Sequence, residues 1–211
     1  MIKLICADCD GTLINAKQIH YESLNAAIYE VAKSYVIGYE DHLENFDGKP
    51  SRVKLAMLNK RGLDQNLNDR IWELKQGYTT HFIKELIHKE DYVNQVECIK
   101  RLNRDGYELA CASNSISKTL NLMLECAGYT PYLHYIISNE EVTNSKPSPE
   151  IFLRTMIRFN RGPSECLIIE DSDVGCESAI KSGSFLMKVE SPNDIQYDRI
   201  KMYTNFIDNN I

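Results

Sequence analysis

The chain has 211 residues, 43% of them hydrophobic and 26% charged, enough for one compact domain or a core with a smaller insert. A net charge of -6 without any basic block argues against a general nucleic-acid binder, and no apolar run reaches membrane-spanning length. Met1-Ile2-Lys3 runs straight into a strand pattern rather than a signal-peptide layout, and seven scattered cysteines suit reduced thiols, so a cytoplasmic protein is expected.

The first apolar run, Ile2 to Ile5, reads as a short buried strand leading into Cys6-Ala7-Asp8-Cys9-Asp10-Gly11-Thr12-Leu13. Two carboxylates one residue apart follow the strand, and Gly11 then permits a sharp turn. In α/β proteins ligands bind beyond the carboxyl ends of strands. Two acids there cost electrostatic energy unless a cation or a shared proton relieves it. Such a pair can divide labour, one ionised as nucleophile and one protonated as general acid. Alone, Asp-x-Asp-Gly also reads as a solvated acidic turn or the opening of a calcium loop. Cys6 and Cys9 form a Cys-x-x-Cys, but Cys6 falls in a strand pattern and residues three apart on a strand face opposite sides. No second Cys or His pair completes a zinc site, so the redox and metal readings of these thiols are set aside.

Leu24, Ala27, Ile28, Val31 and Ala32 then recur at helical spacing. Gly38 and the acidic stretch Glu40 to Asp47 break the pattern. Gly48-Lys49-Pro50-Ser51 reads as a loop leading into a second helix with Val53, Ala56 and Met57 on one face. A third helical run carries Leu67, Ile71, Leu74, Tyr78, Phe82 and Leu86. Residues 16–88 are therefore expected to form an inserted helical cap domain, with 1–15 and 89–211 forming the core. Trp72 and Tyr78 are expected in the cap's own core.

Strands and helices alternate afterwards. Val96, Ile99 and Leu102 mark a helix closed by Gly106, and Tyr107 to Ala112 a strand ending in Ser113-Asn114-Ser115. Leu120, Met123, Leu124 and Ala127 mark a helix closed by Gly128, and Tyr135 to Ile137 a short strand. Ser148-Pro149-Glu150 opens a helix, with serine as N-cap and proline in the first turn. Cys166 to Ile169 reads as a strand ending in Glu170-Asp171-Ser172, Ala179 and Ile180 as a short helix ended by Gly183, and Phe185 to Val189 as a further strand. The polar stretch from Ser191 carries no assigned element. The alternation predicts a Rossmann-like, doubly wound parallel sheet with helices on both faces.

Three strands thus end in polar groups: Asp8 and Asp10, Ser113 and Asn114, Glu170 and Asp171. Lys146 lies in the loop before a helix start. If these ends converge, four carboxylates need compensation, and Mg²⁺ suits a few carboxylates plus water and a substrate phosphate. With Lys146 and Ser113 facing phosphoryl oxygens, this is equipment for phosphoryl transfer.

Asp8-Cys9-Asp10-Gly11-Thr12, Ser113, Lys146-Pro147 and Glu170-Asp171-Ser172 resemble, in order, the four motifs of the haloacid dehalogenase superfamily. His20, Gly48-x-Pro50, Ser145-Lys146-Pro147-x-Pro149-Glu150-Ile151-Phe152 and Glu170-Asp171-Ser172-x-x-Gly175 resemble its β-phosphoglucomutase and phosphoglycolate phosphatase branch, which carries a helical cap after the first motif. The resemblance implies Asp8 as nucleophile forming an aspartyl-phosphate and Asp10 as general acid, then base. It implies Mg²⁺ on Asp8, the Asp10 carbonyl and Asp171 with Glu170 close by, and phosphate held by Ser113, Asn114 and Lys146. The chain departs from the branch at Asn15-Ala16 after the first motif and at Val93-Asn94, where the branch carries Pro-Gly.

The expected function is a Mg²⁺-dependent phosphatase of a small phosphorylated metabolite. A sugar-phosphate mutase using the same aspartyl-phosphate is the alternative, and a catalytically silent binding protein on the scaffold ranks below both. Arg52 is a candidate for reading the rest of the substrate, because its planar fork suits a second anionic group; the bland reading is a solvated charge. No nucleic-acid or membrane partner is expected, and the chain is expected to be a monomer or weak homodimer.

Overall fold

A computed structural model describes residues 1–46 and 49–210. The chain divides into two compact units, Met1–Asn15 with His88–Ile211, and Ala16–Ile87.

The first unit is built on five parallel strands: β1 (Leu4–Ala7), β2 (Glu108–Ala112), β3 (Tyr135–Ile137), β4 (Cys166–Glu170) and β5 (Phe185–Lys188). Their spatial order is β3-β2-β1-β4-β5, so the order reverses between β1 and β4. Strand alternation gives one face Leu4, Cys6, Ala110, Ala112, Ile137, Cys166 and Ile168. These pack with Ile151, Phe152 and Met156 of α7 (Glu150–Phe159) and Ala179 of α8 (Asp173–Lys181). Helix α5 (Val93–Arg104) lies against β2, and α9 (Tyr197–Asn209) lies against α5. Helix α6 (Ser117–Ala127) follows β2. Gly106 and Gly128 close α5 and α6, and β3 has the predicted bounds.

Several expectations need correction. Strand β1 is displaced toward Ala7, because small residues such as Cys6 and Ala7 pair as well as branched ones in a strand buried on both faces. Strand β4 takes in Glu170, whose carbonyl accepts the Val189 N–H at 2.9 Å. The N-cap of α7 is Pro149 rather than Ser148, whose Oγ accepts the Glu150 N–H only at 3.4 Å. The unassigned stretch contains α9, whose buried line Ile200, Thr204 and Ile207 carries a polar middle member.

The second unit contains α1 (Lys17–Ala32), α2 (Tyr39–Asp41), α3 (Ser51–Lys60) and α4 (Asn68–Leu86). Leu24, Ala27 and Ile28 of α1 form its core with Ile37, Phe46, Leu55, Leu58, Leu63 and Ile71. The amide of Asn25 closes the chain back on itself, donating to the Ile37 carbonyl (2.8 Å) and accepting its N–H (2.9 Å). Most of the acidic stretch predicted to break the helical pattern is itself helical: α2 runs into a π-helical turn, His42–Phe46, anchored by the fully buried Phe46. Asp47 and Gly48, and with them part of the predicted Gly48-x-Pro50 loop, lie outside the described residues.

The buried positions of α3 are Lys54, Leu55 and Leu58, whereas Val53 is 45% exposed and Met57 only partly buried. The buried line of α4 is Ile71, Lys75, Thr79 and Ile83, one step round from the predicted face. Tyr78 packs on the unit's core as expected, but Trp72 is 39% exposed and lines a surface groove. Among the described residues no helix is long and apolar enough to cross a membrane.

Candidate active site

The reversal of strand order brings the ends of β1, β2 and β4 together. The ladder continues one residue past β1 and β2: Asp8 N–H donates to the Ile169 carbonyl (2.9 Å) and Ser113 N–H to the Ile137 carbonyl (3.1 Å). Asp8 and Ser113 are therefore fixed by sheet hydrogen bonds. After Asp8 the chain turns at once. The Cys9 carbonyl accepts N–H bonds from Leu13 (3.0 Å) and Ile14 (2.9 Å), and Gly11 N–H donates back to Ile14 (2.7 Å). Gly11 has φ +93°, and a Cβ there would fall 2.1 Å from Asp171 Oδ2, so only glycine leaves room for that carboxylate.

Lys146 organises the charges. Its ammonium donates to Asp8 Oδ1 at 2.6 Å, Glu170 Oε1 at 2.7 Å and the Ala112 carbonyl at 2.8 Å. The donors of the ammonium are thus all used, and the side chain is only 3% exposed. It also stands 4.8 Å from the ring centroid of Phe152, within cation–π range. Burial disfavours the ammonium, but the Asp8 and Glu170 carboxylates outweigh it and hold Lys146 well above the usual lysine range.

Glu170 is fully buried, and its second oxygen accepts from Ser172 N–H (3.1 Å) and Ser172 Oγ (3.0 Å). The Ser172 hydroxyl in turn caps α8 by accepting the Gly175 N–H at 3.0 Å. Gly175 lies so close that a Cβ would meet Glu170 Oε1 at 1.7 Å. Thr12 Oγ1 donates to Asp171 Oδ1 at 3.1 Å.

The sequence-predicted residues of this unit converge, though with duties divided differently. Asp8, Glu170 and Asp171 each bring a carboxylate oxygen within 4.8 Å of one another. The Asp10 carboxylate instead accepts from Ser115 Oγ at 2.8 Å. Both ends of the Asn114 amide meet the Lys146 backbone: Oδ1 accepts its N–H (3.1 Å) and Nδ2 donates to its carbonyl (3.3 Å). Ser113 Oγ accepts the Ser115 N–H at 3.1 Å, which leaves its own hydroxyl proton to be donated elsewhere. Sequence reasoning assigned no role to Ser115; its place one turn past a strand end, beside two assigned residues, was the available signal. Arg52 belongs to the other unit, at the start of α3, where it lines a groove of about 550 Å³ with Asp69, Trp72 and Glu73.

The donor set suits a hard divalent cation, which takes carboxylate oxygens and leaves positions for water and a phosphate. Asp8 points the same way. Burial pushes its carboxyl well above the usual range, Glu170 and Asp10 add to this, and Lys146 only partly opposes it. A cation bound beside it would favour the ionised form that burial opposes. The cysteines play no such part. Cys6 and Cys9 are buried and free; burial pushes the Cys6 thiol up, and a hydrogen bond with Cys111 together with burial does the same for Cys9.

Comparison with known proteins agrees with this geometry. A phosphorylated carbohydrates phosphatase from Thermotoga maritima is 27% identical over 187 residues, covering 86% of this chain and 82% of that protein. Among solved structures, β-phosphoglucomutase from Clostridium difficile superposes with a TM-score of 0.75 at 21% identity, over 98% of this chain and 99% of that one. A predicted phosphoglycolate phosphatase from Haemophilus somnus superposes with a TM-score of 0.79 at 20% identity, over 90% and 86%. These neighbours share the Rossmann-like core and helical cap. The family model for haloacid dehalogenase-like hydrolases matches residues 5–189, from β1 to the end of β5, and the chain belongs to that family.

Proposed function

We propose that this protein is a Mg²⁺-dependent phosphatase that hydrolyses a small phosphorylated metabolite through an aspartyl-phosphate on Asp8. The observation that carries the reading is the placing of Lys146 between Asp8 and Glu170, beside Asp171, at the strand-order reversal. One Asp8 oxygen is held by the lysine, which leaves the other for attack on phosphorus. Asp8 forms the new O–P bond while the bond to the leaving oxygen breaks, and Asp10 gives that oxygen its proton. Asp10 then takes a proton from water as the water oxygen attacks phosphorus and the Asp8–phosphate bond breaks. The Ser113 hydroxyl is assigned to the phosphoryl oxygens, and so is the Lys146 ammonium, which acts on them by its charge or by giving up one of its three present bonds. Asn114 serves the phosphate indirectly, by setting the Lys146 backbone. Asp8, the Asp10 carbonyl and Asp171, with Glu170 close by, would hold Mg²⁺, which supplies neutralisation of charge between nucleophile and phosphoryl group. Arg52 is assigned to the rest of the substrate.

The test is a panel of phosphorylated metabolites assayed for free phosphate. Release with Mg²⁺, its loss in EDTA, failure of Ca²⁺ to restore it and no turnover by Asp8→Asn are the expected results. Asp10→Asn is expected to lose ~10²–10⁴-fold. Undiminished release after exhaustive EDTA treatment, or near-normal turnover by Asp8→Asn, refutes the mechanism. Conversion of β-glucose 1-phosphate to glucose 6-phosphate with little free phosphate would place the protein with the mutases instead.

A further inference from the structure

Ser115 stands outside the residues assigned to the phosphoryl group, yet both its backbone and its hydroxyl are hydrogen-bonded at the strand ends. Its N–H donates to Ser113 Oγ (3.1 Å), and its carbonyl accepts the Asn139 N–H (3.3 Å). Asn139 opens a short turn pinned by Ser138, whose N–H donates to Glu141 Oε2 (2.8 Å) and whose Oγ accepts the Glu140 N–H (3.2 Å). The Ser115 backbone is thus fixed on both sides of its Cα, and its hydroxyl donates to Asp10 Oδ2 at 2.8 Å. The bond joins residues 105 positions apart in the chain, between the loops after β1 and β2.

We propose that Ser115 is a positioning residue for the Asp10 carboxyl. The inference rests on the reading of Asp10 as general acid and base. A carboxyl group rotates about its terminal bond with little preference, so either oxygen can face a reacting group. A fixed donor on Oδ2 restrains that rotation and holds the carboxyl in one orientation toward the reacting group. The gain is one of orientation, because a carboxyl already turned to the leaving oxygen loses no time or entropy finding it. Asn114 does the same for Lys146, so two consecutive residues after β2 each set a group carried by another segment.

The consequence depends on the leaving group. An alkoxide departs only as it gains a proton, whereas p-nitrophenolate departs without one. Since kcat/KM covers the steps up to loss of the leaving group, it isolates the acid role of Asp10. Ser115→Ala is expected to lower kcat/KM ~10–100-fold for the best alkyl phosphate of the metabolite panel. For p-nitrophenyl phosphate the expected fall is under about threefold, and Ser115→Thr, which keeps the hydroxyl, is expected to restore most of the alkyl phosphate activity. Equal falls for both substrates with a lowered unfolding temperature would mean that Ser115 only supports the loop. No fall, or a rise, would also overturn the proposal, the rise showing a latch that must open. The Asp8→Asn control is read separately: if it turns over normally, the covalent mechanism fails, whereas if it is dead and the Ser115→Ala ratio is flat, only the positioning role fails.

Discussion

Replacing Lys146 by methionine removes a buried cation while nearly keeping its volume. At 2.6 and 2.7 Å from Asp8 and Glu170, each ion pair has a gross attraction of about 6 kcal/mol at an effective dielectric near 20. Most of that is offset by the cost of desolvating three charged groups, so the attraction is no measure of net stability. What the substitution exposes is the other side of the balance. Glu170 is fully buried and Asp8 nearly so, and both lose their common cation. Breaking a buried pair from one side costs ~3–5 kcal/mol, and the Ala112 carbonyl loses a charged donor as well. With a urea m-value of ~1–3 kcal/mol/M, the unfolding midpoint of Lys146→Met in EDTA is expected to fall by roughly 1–5 M.

The probe must report the right unit. The single tryptophan, Trp72, lies on α4 of the helical unit, so its fluorescence follows the wrong transition. Amide hydrogen exchange in β1 and β4 reads the sheet that carries the charges. A midpoint and exchange pattern unchanged from wild type would refute the reasoning. It would mean that Asp8 and Glu170 take up protons when the lysine is gone, so that no uncompensated charge remains.

Other expectations follow from single contacts. Gly11→Ala places a methyl 2.1 Å from Asp171 Oδ2 at φ +93°, so it is expected to raise the Mg²⁺ concentration needed for half-maximal activity and to destabilise by ~1–2 kcal/mol; a metal titration beside thermal melts checks both. Glu150 is held down to about 2, first by the Thr143 and Asn144 N–H groups at 2.9 Å and then by Arg154. A depressed carboxyl stabilises above its unfolded value of 4.5 and loses that contribution as pH falls toward about 2. Wild type is therefore expected to exceed Glu150→Gln in melting temperature above about pH 5, with the gap closing near pH 2. Arg52→Ala is expected to cost ~1.5–3 kcal/mol in kcat/KM for a substrate with a second anionic group and little for p-nitrophenyl phosphate. Equal losses on both substrates would remove Arg52 from substrate recognition.

The core was legible because its strands are short, apolar and punctuated by glycine. The bounds of β3, Tyr135 to Ile137, follow from its apolar residues, and the turn at Asp8-Cys9-Asp10-Gly11 from a glycine placed just after an apolar strand pattern. The helical unit was less legible, for a physical reason. Its buried faces contain Lys54, Lys75 and Thr79, so an apolar count points one step away from the true face. Helix α9 was hidden in the same way by Thr204, between Ile200 and Ile207. At the site, residue types showed which groups would meet but not which partner each would take. Asn in a strand-end loop suits phosphate, yet here its amide spans the Lys146 peptide. Pairings of that kind depend on loop paths that no local pattern encodes.

The same geometry links the site to the fold that holds it. Asp8 follows β1 and Glu170 ends β4, and these two strands pair in parallel at the centre of the sheet. Their repulsion is absent in the extended chain and appears only when the strands pair, so it opposes the pairing that builds the core. Lys146 offsets it from a third segment and is itself aligned by Asn114 from a fourth. Glycine at positions 11 and 175 lets Asp171 and Glu170 approach the backbone of neighbouring turns at distances closed to any other residue. Carboxylate oxygens of Asp8, Glu170 and Asp171 are therefore held within 4.8 Å of one another. A cation that binds only the folded form would add RT ln(1 + [L]/Kd) to stability at the strands whose pairing the acids oppose. The repulsion among Asp8, Glu170 and Asp171 and the cation-holding role proposed for them thus arise from one strand-order reversal, seen from the side of folding and from the side of chemistry.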